Sequence, residues 1–299
     1  MEKTTPTFIC IGPSKSATTW LADHCKPQLD IWLPPIQELS YPYLSFGPRL
    51  DDSDLLTLKR DWWSTTKRII RNKSISEKVD REFYLLAQKL KVEDPTGKDF
   101  AGYMSLFAPA KQPITGDISP IYASFTDPQV KSFSENVPSK KVFMFVRHPV
   151  DRFFSHYKMI ASYKRYGDID YTSKSAVEKF LNDPIRSAQF YPAEIYSRWK
   201  KYWGESFSVF FFDDVKKNPK ETLNKVIRYV GGNPKYRIPF VSSNINRNKV
   251  KLDLIIPKST VAMVYESFLP ELARCDEVFS HRRYDWALKA RHLLDSKLL

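Results

Sequence analysis

Apolar residues of this chain fall either into short, almost continuous runs or into longer segments with helical spacing. Three runs, Phe8–Ile11, Val142–Val146 and Phe207–Phe212, are rich in aromatic and β-branched residues, as buried strands are. Shorter runs at 31–33 and 114–118 predict two further strands. The predicted helices span 18–26, 53–71, 76–91, 126–136, 149–163, 173–182, 192–203, 214–229 and 257–274.

The order of these elements favours one fold class. Strands alternate with helices, and strands that are joined through a helix usually run parallel. We therefore predict an α/β protein with a P-loop-like three-layer fold, in which helices flank a central, mainly parallel sheet. Residues 1–299 are expected to form a single domain, with a helical and loop-rich insertion at 53–113.

Small residues and one lysine connect the first predicted strand to the first predicted helix. After the strand the chain reads Gly12-Pro13-Ser14-Lys15-Ser16-Ala17-Thr18-Thr19-Trp20. Backbone N–H groups and the positive end of the helix dipole would converge here, and the lysine adds a full charge. The loop therefore predicts a site for a phosphate or a group of similar shape. It is not a Walker A loop, because Lys15 lies only three residues after Gly12.

A second strand-to-helix junction lies about 130 residues downstream. Arg147 follows a predicted strand directly, and Pro149 suits the first turn of the next helix, where its missing N–H is not needed. Ligands of open α/β sheets bind beyond the carboxyl ends of strands. Arg147 and the hydroxyl of Ser155 would suit a second phosphate, since a guanidinium can bind it with two parallel hydrogen bonds. For Arg152 and Tyr157, a salt bridge or core packing is as good an interpretation as a ligand contact.

The formal net charge of +13 at pH 7 indicates an acidic partner. Nucleic acid is disfavoured, because no helix-turn-helix, zinc-finger or RNA-binding aromatic pattern accompanies the charge. Cys10, Cys25 and Cys275 have neither paired nor metal-ligating spacing, so we predict no metal site and a reducing compartment. The sequence shows no signal peptide and no apolar run of ~20 residues that could span a membrane. We therefore expect a cytoplasmic location.

Together, the two junctions resemble those of the sulfotransferases that use 3′-phosphoadenosine 5′-phosphosulfate as donor. The family pattern P-x-K-[SG]-[GA]-T-T-W is matched from Pro13 to Trp20, and R-x-P-x-x-R-x-x-S-x-Y from Arg147 to Tyr157. The resemblance implies that Arg147 and Ser155 hold the 3′-phosphate of the donor, and that adenosine 3′,5′-bisphosphate is the product. It implies that the 5′-phosphosulfate is bound by Lys15, Ser16, Ala17, Thr18, Thr19 and Trp20.

Two further segments are similar to the acceptor side of the heparan-sulfate-type and bacterial carbohydrate sulfotransferases. Glu38 stands where that branch carries its general base, and Asp117 matches an acidic position of a second segment. Both segments lack a lysine of the branch, at Gln37 and Ile118. Glu38 is therefore the first candidate for the base; Asp117 is the second, or else it orients Lys15. The insertion at 53–113 is expected to shape the acceptor side.

Other donor contacts are implied nearer the C-terminus. A basic segment at 244–258 has the position of the lid that covers the 3′-phosphate and adenine in related enzymes, which assigns donor binding to Arg247, Asn248 and Lys249. Tyr191 lies beside a position that often carries an aromatic residue near the adenine.

The reaction that the resemblance implies is direct, in-line transfer of a sulfuryl group, without a metal, to a hydroxyl or amine. The acceptor implied is a small molecule or glycan, above all a carbohydrate or glycolipid, and the positive charge of the chain would suit an acidic one. Two alternatives stay open. A small nucleotide kinase of related fold would bind ATP with Mg²⁺ through a full Walker A loop, and a non-catalytic anion- or glycan-binding module would lack a base.

Overall fold

The computed structural model describes residues 5–36, 38–40, 99–236 and 254–296, together with most of a helical segment between 82 and 90. The helix predicted at 53–71, most of the one predicted at 76–91, and the basic segment up to residue 253 lie outside the described residues. The sheet and its surrounding helices can be compared with the predictions directly.

Parallel strands form one central sheet with the order β2-β3-β1-β4-β5. These strands are β1 (Phe8–Cys10), β2 (Ile31–Trp32), β3 (Ile114–Ile118), β4 (Lys141–Val146) and β5 (Phe207–Phe211). Each lies within one residue of its predicted bounds, and the α/β class with a parallel sheet is confirmed. The carboxyl ends of β3, β1 and β4 are neighbours, so the segments that follow them meet at one edge of the sheet.

Helices pack on both faces of this sheet. Within the described residues, and apart from the helical segment between 82 and 90, they are α1 (Thr18–Cys25), α2 (Phe100–Ser105), α3 (Asp127–Asn136), α4 (Pro149–Ser162), α5 (Lys174–Leu181), α6 (Pro184–Ser187), α7 (Pro192–Trp203), α8 (Phe212–Lys217), α9 (Pro219–Tyr229), α10 (Lys258–Val278) and α11 (Trp286–Asp295).

Three helix predictions are wrong in detail. The single helix predicted at 214–229 is two helices, α8 and α9, because Pro219 cannot continue a helix and instead begins the next one. The last predicted helix continues to Val278, and α11 follows it. Helix α2 lies in a stretch that was predicted to be loop; it begins after Asp99, whose side chain accepts a hydrogen bond from the N–H of Ala101.

Side-chain alternation along the strands divides the core in two. In β4, Val142 and Met144 point to one face of the sheet, whereas Phe143 and Phe145 point to the other. All four are buried, which explains why the strand reads as one apolar run: parallel strands are covered on both faces. The prediction of three layers is therefore confirmed by two separate apolar clusters with the sheet between them.

Two glycines allow the close approaches that bring β1 and β3 together. Gly12 has φ 92°, and a Cβ there would lie 2.5 Å from the Cα of Pro120, directly after β3. Gly116 packs against Phe8 on the neighbouring strand, whose ring would overlap any side chain at that position. The loops after β1 and β3 are thereby held side by side.

Candidate active site

The loop after β1 has a left-handed backbone at two non-glycine residues. Lys15 has φ 67° and Ala17 has φ 72°. Such conformations cost of order 1–3 kcal/mol each and are concentrated at functional sites. They turn the chain so that α1 begins at Thr18 without a side-chain cap, which leaves the first N–H groups of the helix without an intrahelical acceptor. The loop thus has the anion-binding geometry that its sequence predicts.

Arg147 reaches this loop from the end of β4. Its Nη1 donates a hydrogen bond to the carbonyl oxygen of Lys15 at 2.8 Å, and its guanidinium lies 4.4 Å from the ring centroid of Phe212. Burial and, second, the positive charge of Arg147 lower the pKa of Lys15. The structure therefore brings together two of the cations that the sequence assigned to the donor site, Lys15 and Arg147.

A third cation, Arg152, supports the same loop from α4. It is 1% exposed, its Nη1 donates to the carbonyl oxygen of Ser14 at 3.1 Å, and its guanidinium lies 5.0 Å from the ring centroid of Phe190. Burial and the charge of Arg147 lower its pKa to about 9. The sequence left a salt bridge or core packing open for Arg152; within the described residues it bonds to the loop backbone and to no carboxylate.

Several buried polar atoms around the loop form no hydrogen bond within the described residues. Among the described residues, Ser16 Oγ, Arg147 Nε, and Arg152 Nε and Nη2 are buried without a partner. Buried polar groups are normally satisfied, so unpaired donors concentrated at one place need an explanation. A bound polyanion supplies one, because it would accept hydrogen bonds and offset the mutual repulsion of Lys15, Arg147 and Arg152. The residues present fit a phosphosulfate or phosphate group.

The other predicted donor contacts are placed as follows. Ser155 is half-buried on α4, two turns beyond Arg147, and Thr19 is exposed at the start of α1. Trp20 is 2% exposed and packs 5.1 Å from the ring centroid of His24, a position that favours a core role for its side chain. Tyr191 precedes α7 with its ring centroid 6.0 Å from that of Phe268 on α10.

The basic residues of the predicted lid lie outside the described residues. These are Arg247, Asn248 and Lys249.

Glu38 and Asp117, the two candidate bases, line one small cavity. Lys26 and Gly116 also contribute to its wall. Crowding by protein atoms, with a smaller contribution from the charge of Asp117, raises the pKa of Glu38 from 4.5 to about 7. Glu38 is nevertheless partly open to solvent, and water screens its carboxylate. The pKa of Glu38 is therefore raised above 4.5, to no more than about 7. Glu38 also has a left-handed backbone, with φ 65°.

Asp117 has no free acceptor oxygen facing the cavity in the described structure. Its Oδ2 accepts hydrogen bonds from Tyr103 at 2.8 Å and Tyr122 at 2.6 Å, and its Oδ1 accepts one from Ser119 at 2.6 Å. The residue is 1% exposed, and burial raises its pKa, a shift that these donors and the N–H of Leu39 oppose. Its carboxylate ties together the segments after β2 and β3 and helix α2.

Tyr103 and Tyr122 are the site residues that the sequence did not reveal. Tyr122 ends the segment from Thr115 to Tyr122, which contains Asp117 and resembles the acceptor side of the sulfotransferases, so the sequence did contain a signal for Tyr122. Tyr103 comes from α2, in the stretch that was predicted to be loop, and no pattern in the sequence links it to Asp117.

Comparisons with known proteins agree with this geometry. Residues 119–251 match the profile of a family described as the sulfotransferase domain. The chain therefore carries a sulfotransferase domain. Its fold is similar to a solved sulfotransferase from Alicyclobacillus acidocaldarius, with a TM-score of 0.62, 17% identity, and coverage of 91% of this chain and 95% of that one. The chain is therefore an enzyme of the sulfuryl-transfer class.

Two other solved structures share the fold of this sulfotransferase. A sulfotransferase domain from the Synechococcus PCC 7002 olefin synthase has a TM-score of 0.50, 16% identity, and coverage of 90% of this chain and 96% of that one. A domain from the curacin biosynthetic pathway also has a TM-score of 0.50, with 12% identity and coverage of 88% and 97%. A search of the curated proteins found no match.

Within the described residues, no helix combines the length and the apolar character needed to cross a membrane. No group of three or more His, Cys, Asp or Glu side chains in that part of the chain could hold a metal ion.

Proposed function

We propose that this sulfotransferase transfers the sulfuryl group of 3′-phosphoadenosine 5′-phosphosulfate to a hydroxyl or amine of an acceptor. One observation carries the proposal. Arg147 and Arg152 donate to the backbone of the loop that contains Lys15, and buried donor atoms of Ser16 and of both arginines have no partners within the described residues. That arrangement favours an elongated polyanion at the carboxyl ends of β1 and β4.

The residues of the chain divide the recognition of the donor between them. Lys15 and the N–H groups at the start of α1 would bind the 5′-phosphosulfate, and Arg147 with Ser155 would bind the 3′-phosphate. When bound, the donor supplies the sulfuryl group and leaves as adenosine 3′,5′-bisphosphate. Negative charge that develops on the leaving side would be stabilised by Lys15, a group already positioned for it. Arg152 holds the loop backbone in place.

Glu38 is the proposed general base. It lies at the cavity after β2, its pKa is raised toward neutrality, and part of its surface is open to solvent. A base works best when its pKa is close to the operating pH, and a positioned carboxylate contributes ~10²–10⁴ in rate. Asp117 is less suited to this role, because its two oxygens already accept hydrogen bonds from Tyr103, Tyr122 and Ser119.

A carbohydrate or glycolipid is the proposed acceptor, because the segments around Glu38 and Asp117 resemble those of carbohydrate sulfotransferases. Solved structures with the same fold come from an olefin synthase and from the curacin biosynthetic pathway. An acceptor screen with labelled donor should therefore include alcohols that are not carbohydrates beside sugars and glycolipids.

The donor proposal is tested by ligand-induced stabilisation. Adenosine 3′,5′-bisphosphate should raise the thermal midpoint of unfolding, with a stabilisation of ~2.7 kcal/mol at a hundred times its Kd, and ATP with Mg²⁺ should raise it much less. Arg147→Ala should weaken bisphosphate binding ~10-fold or more, because a charge-assisted bond of 1.5–3 kcal/mol is lost. It should leave binding of adenosine 5′-phosphosulfate, which has no 3′-phosphate, nearly unchanged.

The control variant is Lys131→Ala, which removes an exposed cation on α3 that pairs with Glu135. It should not change either affinity. Equal losses for both nucleotides in Arg147→Ala would show that Arg147 does not bind the 3′-phosphate. A larger stabilisation by ATP with Mg²⁺ than by the bisphosphate would contradict the proposed donor.

A further inference from the structure

A basic cleft lies at the carboxyl ends of β4 and β5. Its volume is about 610 Å³. It lies between the start of α4, helix α8 and the C-terminal part of the chain. Its lining residues are His148, Asp213, Lys216, Lys217, Tyr265, Arg282, Arg283, Tyr284, Trp286, Lys289, Ala290 and Leu293. Nothing in the donor or acceptor assignments uses this cleft.

The lining of the cleft is strongly cationic. It carries five lysine and arginine side chains and a single carboxylate, that of Asp213. Three of the cations have local partners: Arg282 pairs with Asp214 at 2.5 Å, Lys216 lies 4.0 Å from Asp213, and Lys289 donates to the carbonyl oxygen of Tyr284 at 2.6 Å.

The remaining two cations, Lys217 and Arg283, have no carboxylate partner among the described residues. Arg283 and the nearby Asp285 also have left-handed backbones, with φ 50° and 53°. Like charges collected in one concave site repel one another, and low-dielectric walls concentrate their field. An anionic ligand would relieve that repulsion.

Aromatic rings form another part of the same wall. Tyr284 and Trp286 are stacked, with ring centroids 4.2 Å apart, and His148 packs edge-on against Trp286 at 5.0 Å. Tyr265 and Tyr284 are half-buried, so part of each ring is covered and part is open to solvent. Flat apolar surface beside cations suits a ring that carries a negative group.

The cleft and the donor loop receive side chains from consecutive residues of the same two segments. His148 follows Arg147, and Asp213 follows Phe212, on which the Arg147 guanidinium lies. The side chains alternate, so that Arg147 and Phe212 meet near the donor loop whereas His148 and Asp213 line the cleft. The two sites would therefore bind separate anions.

We propose that this cleft is a second anion site, which binds a phosphate or sulfate monoester carried on a flat ring. The inference does not depend on the identity of the donor. The probe is phenyl phosphate, titrated by isothermal calorimetry into the wild type and into the double variant Lys217→Ala/Arg283→Ala. Phenyl sulfate is a second arm, to decide between the two esters, and phenol is the uncharged comparison.

The double variant should weaken phenyl phosphate binding ~10-fold or more, because two charge-assisted contacts are lost. A matched double variant, Lys131→Ala/Lys174→Ala, removes two exposed cations on α3 and α5 and should bind as the wild type does. Lys15→Ala should leave this binding largely intact, since it alters only the donor loop. Phenol should not bind measurably.

Two results would overturn the inference. One is phenyl phosphate binding that survives in the cleft variant and disappears in Lys15→Ala, which would place the ester in the donor loop. The other is a fall in affinity for adenosine 3′,5′-bisphosphate in the cleft variant as large as the fall for phenyl phosphate, which would make the cleft part of the donor site. Unchanged thermal midpoints of the variants without ligand would show that folding is not the cause.

Discussion

Buried charged groups at the ends of two neighbouring strands are satisfied to very different degrees. After β3, both oxygens of Asp117 accept hydrogen bonds, from two tyrosines and a serine. Around the loop after β1, Ser16 Oγ and two nitrogens of Arg152, which reaches the loop from α4, are buried without a partner in the described structure. The first group is complete without a ligand, and the second is not. We therefore assign the Asp117 group to the support of the fold and the group around the loop after β1 to ligand binding. Both groups are polar, buried and close to the same edge of the sheet.

Electrostatics strengthens the contrast. Around the loop after β1, burial and, second, the charge of Arg147 lower the pKa of both Lys15 and Arg152, so the cations oppose one another. A protein that only needed a stable loop would have no use for such repulsion. At the end of β3, the hydroxyl donors stabilise the charged form of Asp117 against the effect of burial. We interpret the loop as organised for a ligand and Asp117 as organised for the fold.

The largest effect should come from Glu38, which among the described acidic residues of the site is the one with solvent access. Glu38→Gln keeps the shape of the side chain but removes its proton affinity, so turnover should fall ~10²–10⁴ while bisphosphate affinity stays unchanged. In the wild type, the rate should decrease as the pH falls through the pKa of Glu38, between 4.5 and about 7, and the variant should lose this limb. Steady-state rates with donor and an identified acceptor, measured against pH, provide the test.

Glu135→Gln is the matched control, since that exposed carboxylate lies on α3, away from the site. It should keep both the wild-type rate and its pH dependence. A Glu38→Gln enzyme with normal turnover would remove Glu38 from the mechanism.

Lys15→Ala should have the next largest effect. A preorganised group that stabilises developing charge contributes ~10²–10³ in turnover, and Lys15 should in addition contribute to donor affinity. Lys15→Arg should restore little of either, because a planar guanidinium does not replace a compact ammonium within this loop. Turnover and bisphosphate affinity, measured together, distinguish this double loss from the turnover-only loss of Glu38→Gln. Near-normal turnover in Lys15→Ala would refute the phosphosulfate role of the loop.

The sequence predicted the donor side of this site well, because its determinants are local. A buried run, a short loop with Lys15 and a helix start lie within about 15 consecutive residues. The same holds for Arg147 and Ser155, which share one strand-to-helix junction. The strand bounds were predicted to within one residue for the same reason: a parallel strand covered on both faces is a contiguous apolar run.

Contacts between distant segments were not predictable in this way. The Asp117 network includes Tyr103 from an unpredicted helix. Glu271 of α10 accepts a hydrogen bond from the N–H of Ala193 at 2.7 Å and so caps α7 across 78 residues. The basic cleft collects residues from several separate segments, between His148 and Leu293. None of these groupings leaves a periodic pattern in the sequence, since each depends on how the helices pack.

Asp117→Asn tests the scaffold side of the comparison. In the wild type, the Asp117 carboxylate accepts hydrogen bonds from three hydroxyl groups. An amide in its place is uncharged and has only one acceptor oxygen, so the free energy of unfolding should fall by ~1–3 kcal/mol. Turnover at a temperature where the variant is folded should change far less than in Glu38→Gln. Denaturant unfolding and steady-state rates measure the two effects. Asp168→Asn alters only an exposed ion pair with Lys164, so it should change neither the free energy of unfolding nor the turnover. A large loss of turnover with unchanged stability would instead make Asp117 the base.

The smallest expected effect concerns His156, which packs beneath the cationic loop. It is 5% exposed, and burial, followed by the charges of Arg152, Arg186 and Lys15, lowers its pKa well below 6.5. The folded protein therefore keeps His156 neutral while the unfolded chain binds a proton below pH 6.5, so stability is complete above that pH and is lost as the pH falls. At pH 5.5 the loss from this residue should be on the order of 1 kcal/mol.

His156→Asn removes the titrating group, so the free energy of unfolding should change less between pH 7.5 and 5.5 than in the wild type. The difference between the two pH slopes isolates His156 from other histidines, among them His148, and does not depend on any uniform destabilisation by the substitution. Urea unfolding at several pH values measures it. Parallel slopes for the two proteins would show that His156 is protonated in the folded state, and hence that the cations around the loop do not act on it as the structure indicates.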